Sequence, residues 1–70
     1  VSDSLGEALS REMARVRDEL LPRYLGLLGG VGAFAAYGMR RDLDEAAAAL
    51  AEGDLRRMIA VYESLKAWAD

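Results

Sequence analysis

Leu5, Leu9, Met13, Val16, Leu20, Tyr24 and Leu27 follow one another at spacings of four, four, three, four, four and three residues. That rhythm puts seven apolar side chains on one face of an α-helix of about six turns, and no strand, with its period of two, accommodates it. Only five residues are Val or Ile and Thr is absent, so the β-branched residues that strands favour are scarce. The expected class is all-α. At 70 residues the chain makes one domain, 1–70, whose core supplies only about 3–5 kcal/mol. With no Cys for disulfides and no Cys or His for zinc, self-association is the remaining common reinforcement. A helical hairpin or three-helix module that dimerises into a larger bundle is therefore expected.

Ser4-Leu5-Gly6-Glu7 fits a capping box and starts the first helix. Pro22 interrupts it by removing an N–H and clashing with the carbonyl of Asp18, and because the apolar stripe continues in phase beyond it, a kink is expected. Gly29-Gly30 is expected to close this helix, since Gly takes the left-handed conformation freely. The second helix is expected from about Gly32 to Ala51 on a seam of Gly32, Ala36, Met39, Leu43, Ala46 and Leu50, whose small residues let another axis approach. Gly53-Asp54 ends it and caps the third helix, Asp54 to about Trp68. Leu55, Met58, Ile59, Val61, Tyr62, Leu65 and Trp68 fill more than one stripe of that helix, so it should touch two partners. Core or dimer positions are expected at Leu20, Met39, Leu43, Leu50, Met58, Tyr62 and Leu65.

Chemistry is weakly represented. Acid–base and nucleophilic catalysis want a base near neutral pKa, and neither His nor Cys is present; no enzyme, metal site or cofactor is expected. Asp42-x-Asp44-Glu45 fails the calcium-loop pattern at its third acid and its Gly. Arg40 with Asp44 and Arg41 with Glu45 stand four apart and explain those acids as surface ion pairs. Arg56 and Arg57 after the Gly53-Asp54 turn imitate a recognition helix. Glu52 and Asp54 flank the same turn, and nine Lys and Arg against twelve Asp and Glu leave a net charge of −3, which disfavours phosphate binding. Residues 1–7 show no basic or apolar leader pattern. The longest uncharged run, Tyr24 to Met39, has sixteen residues with five Gly, short of a membrane span. A cytoplasmic protein is expected.

Phe34, Tyr37 and Arg41 share one face of the second helix, beside its seam. Aromatic residues and Arg concentrate at binding hot spots, and Trp68 is a similar anchor near the C-terminus. These four are the expected partner-binding residues; the alternative is that the aromatics fill the core or a self-interface.

Arg15-Val16-Arg17, Glu19-Leu20-Leu21-Pro22, Tyr24 and Gly32-Ala33-Phe34 resemble segments of small helical early or accessory proteins of transposable, Mu-like bacteriophages. The similarity continues through Asp42-Leu43-Asp44 with Ala46, then Ala49-Leu50-Ala51-Glu52-Gly53-Asp54, and Met58-Ile59 with Tyr62, Leu65 and Lys66. The resemblance implies a host-takeover protein that binds and disables a host protein, such as a quorum-sensing regulator or a pilus ATPase, in the cytoplasm of the bacterial host. It assigns no functional residues. The alternatives are a small DNA-binding regulator using residues 54–68 and a structural assembly subunit.

Overall fold

The computed structural model describes residues 4–26 and 30–68. Its elements are α1 (Leu5–Arg15), a π-helical turn (Val16–Leu20), α2 (Leu21–Leu25), α3 (Gly30–Glu52) and α4 (Leu55–Ala67). The first three form one continuous run, so the chain is an all-α module of three helical rods. Ser4 caps α1 by accepting the Glu7 N–H at 3.0 Å. Gly53, at φ 66°, closes α3 in the left-handed region, and Asp54 caps α4 by accepting the Arg57 N–H at 3.2 Å.

The expected kink at Pro22 takes a different form. The backbone widens one turn earlier: the Leu21 N–H reaches back five residues to the Val16 carbonyl. Pro22 follows directly, as the second residue of α2, and the wider turn before it relieves the clash of its ring with the preceding turn. The widened turn absorbs the missing donor while keeping Val16 and Leu20 both fully buried, which explains why the stripe reads in phase across the interruption.

The closure expected at Gly29-Gly30 is displaced. The run ends at Gly26, whose N–H meets the carbonyls of Pro22 at 3.1 Å and Arg23 at 3.2 Å. Gly30 is instead the first residue of α3, and Leu27 and Gly29 lie outside the described residues. Glycine lowers helix propensity by about 1 kcal/mol, so propensity alone predicts a late start. Burial of Gly32 and Ala36 outweighs that preference and brings the start forward.

Gly6, at the start of the first run, faces Leu50 near the end of α3, with 3.8 Å between an added Cβ and Leu50 Cδ2, and α2, at the other end of that run, also packs on α3. α4 packs on both α1 and α3. The core is Leu9, Val16 and Leu20 from the first run, Met39, Ala46 and Ala49 from α3, and Met58, Val61 and Leu65 from α4. Leu20, Met39, Met58 and Leu65 thus lie in the core. Leu43, Leu50 and Tyr62 are partly buried and flank it, while Ala46 and Ala49 on the same helix as Leu43 and Leu50 are fully buried.

Candidate interaction groove

The difference in helix lengths leaves a concavity beside α3. α3 has 23 residues and α4 has 13, and the ten-residue difference leaves about 15 Å of α3 beyond the reach of α4. There a groove of ≈ 810 Å³ is lined by Gly30, Phe34, Ala35, Tyr37, Gly38 and Arg41 of α3, with Trp68 across the end of α4. All four residues expected to contact a partner converge in it. Phe34 is 83% exposed and Tyr37 70%, which excludes the core-filling alternative for both rings. The small residues Gly30, Ala35 and Gly38 complete the lining.

Trp68 is fixed on three sides. Its Nε1–H donates to Asp42 Oδ2 at 2.9 Å. Its ring lies against Gly38 so closely that an added Cβ there would sit 3.0 Å from two indole carbons. Arg15 Nη2 donates to the carbonyls of Leu65 at 3.0 Å and Trp68 at 2.9 Å, sharing the first with the Trp68 N–H and supplying a donor to the second at the end of α4. Arg15 is itself held by Glu12 at 3.3 Å.

The charges pair differently from the expected pattern. Glu45 does not pair with Arg41 on its own helix; it accepts from Arg57 of α4 through both carboxylate oxygens, at 3.0 and 2.8 Å. Glu52 takes the remaining nitrogen of that guanidinium at 2.7 Å. A fork held in this way across two helices uses the guanidinium's planar geometry, which a neighbour four residues along cannot match. These hydrogen bonds hold the Glu45 carboxyl below its ordinary value and raise that of Arg57. Arg41 is left exposed at the groove and makes no ion pair with a described residue.

Sequence reasoning missed Gly38, Asp42 and Arg15. Gly38 and Asp42 stand one turn from Phe34 and Gly38 respectively, a signal that they share the groove's side of α3. Nothing local indicates that a residue thirty positions away lies on them. Asp42 and Glu45 are occupied by Trp68 and Arg57, and among the described residues no group of three or more acidic side chains comes together as a metal site. Of the two arginines placed at the start of a recognition helix, Arg56 is exposed and Arg57 is committed to two carboxylates. Among the described residues no helix is long and apolar enough to cross a membrane.

No protein-family model, curated protein or solved structure matches the chain.

Proposed function

We propose that the protein is a non-enzymatic interaction module whose groove seats part of another protein and blocks or redirects it. The observation that carries this reading is the exposure of Phe34 and Tyr37, 83% and 70%, beside Trp68 and Arg41 in one concavity. Covering a large apolar side chain gains about 1.5–3 kcal/mol, and aromatic residues with Arg at the centre of a concave patch are the composition of binding hot spots. The likeness to small proteins of Mu-like phages supplies the setting: an inhibitor or anti-activator acting on a host protein in the bacterial cytoplasm. Homodimerisation belongs to the same reading and is supported by a second exposed stripe, Leu55 and Ile59 on α4.

The test compares immobilised wild-type protein with a Phe34→Ala, Tyr37→Ala double variant in a bacterial lysate, with retained proteins identified by mass spectrometry. A protein held by the wild type and released by the variant is the expected result. Equal retention by both, with the variant folded, removes the groove as the docking face.

A further inference from the structure

Among the described residues the groove carries one charge without a partner. Its described lining is aromatic or small except for Arg41. Arg41 is the only formally charged group among those residues, is exposed, and has no ion-pair partner among the described residues. Of the acids next to it in sequence, Asp42 is spent on the Trp68 indole and Glu45 on Arg57, and Asp44 is exposed and makes no ion pair with Arg41. A guanidinium at the edge of an apolar concavity rewards a carboxylate that arrives attached to an apolar body, since the pair is then partly shielded from water. From Gly30 to Arg41 the lining follows one side of α3 for eleven residues, about 16 Å or three helical turns.

We infer that the occupant is an amphipathic helical segment of a partner protein, about three turns long, with large apolar side chains along one face and an acidic residue at the end that meets Arg41. This inference rests on the groove being the docking face. Gly30, where an added Cβ would meet nothing within 4 Å, and the small Ala35 leave room for apolar side chains beside Phe34, Tyr37 and Trp68, which is how a helix is seated in a groove by anchors at i, i+3 or i+4, and i+7. A second copy of this chain and an anionic membrane are the competing occupants.

Trp68 is the chain's only Trp, so its fluorescence, with the amide and indole N–H signals of labelled protein, reports occupancy directly. The probes are three synthetic helical peptides with Leu and Phe at i, i+4 and i+7, identical except for Glu, Gln or Lys at one end. Anionic phosphatidylglycerol vesicles and a protein dilution series complete the set. The expected result is perturbation of the Trp68 indole and Gly38 signals by the Glu peptide, with affinity falling about five- to tenfold on changing Glu to Gln, as for loss of a partly shielded charge pair. The Lys peptide should bind weaker still. In Arg41→Gln, the preference for Glu should vanish while the apolar contribution remains. Equal binding of all three peptides at the groove overturns the acidic specificity and leaves the docking face intact. No groove perturbation by any peptide overturns both. Groove signals that move with protein concentration alone assign the face to a second copy, and movement with vesicles alone assigns it to a membrane; either outcome overturns the inference.

Discussion

Tyr37 and Arg41 are exposed residues of α3 that the three-helix core does not use, so truncating them should separate binding from folding. Tyr37→Ala or Arg41→Ala should cost roughly 1–3 kcal/mol of target affinity by calorimetric titration, with little change in melting temperature. If either variant unfolds the protein at full target affinity, the side chain belongs to the core or a self-interface. Gly38 behaves differently because its lack of a side chain is what admits the indole: an added Cβ would meet two ring carbons at 3.0 Å. Gly38→Ala should push Trp68 off α3, break its bond to Asp42, and shift the emission of the sole Trp to longer wavelength. Asp42→Ala should produce the same shift by removing the acceptor while leaving the contact surface. Unchanged emission in both would mean that Trp68 is held by Arg15 and packing alone.

The junctions between elements rest on a few backbone groups. Gly53 closes α3 at φ 66°, where a Cβ is strained, and Asp54 caps α4. Urea denaturation should show a loss of about 1 kcal/mol for Gly53→Ala and about 1 kcal/mol for Asp54→Ala. The Glu45–Arg57–Glu52 cluster ties the end of α3 to the start of α4 and makes that junction sensitive to pH. The Glu45 carboxyl titrates below its ordinary 4.5 because Arg57 donates to it. Its contribution to stability is therefore complete above the unfolded value and is lost as the pH falls through the lower, folded one. Thermal melts should show wild type losing stability on acidification into that range, and Arg57→Gln losing less of it from a lower starting point. Parallel acid losses in the two proteins would mean that other carboxylates dominate. The same cluster bears on the recognition-helix alternative, because a phosphate could engage Arg57 only by displacing two carboxylates.

Over the whole molecule the core is thin. The radius of gyration is 12.4 Å and the extents are 40 × 23 × 16 Å, against about 11 Å expected for a compact chain of this length. α4 spends Met58, Val61 and Leu65 on the core and leaves Leu55 and Ile59 at 63% and 53% exposure. If that outer stripe pairs two copies, folding and association are coupled, and the melting temperature should rise with protein concentration. Leu55→Glu with Ile59→Lys should yield a monomer by light scattering while leaving the groove's Trp68 environment unchanged. A monomer mass for wild type at micromolar concentration, with a concentration-independent melt, removes the dimer.

Local order determined most of the elements. The 4-4-3 spacing from Leu5 to Tyr24, the Ser4 cap and the Gly53-Asp54 junction are properties of a few consecutive residues, and helix formation depends on such short-range terms. The placement of Phe34, Tyr37 and Arg41 on one side of their helix was legible for the same reason. Where packing competed with local preference, packing decided: Gly30 begins a helix that propensity would start later, and the missing N–H of Pro22 is absorbed by a widened turn between the buried Val16 and Leu20. Tertiary structure alone brought Trp68 onto Gly38 and Asp42, thirty and twenty-six positions away, and turned Glu45 from Arg41 to Arg57. Those contacts follow from where the shorter α4 stops along the longer α3. That register is set by the three-way packing of Leu9, Met39, Ala46, Met58 and Leu65, a sum over distant side chains that no window along the chain contains.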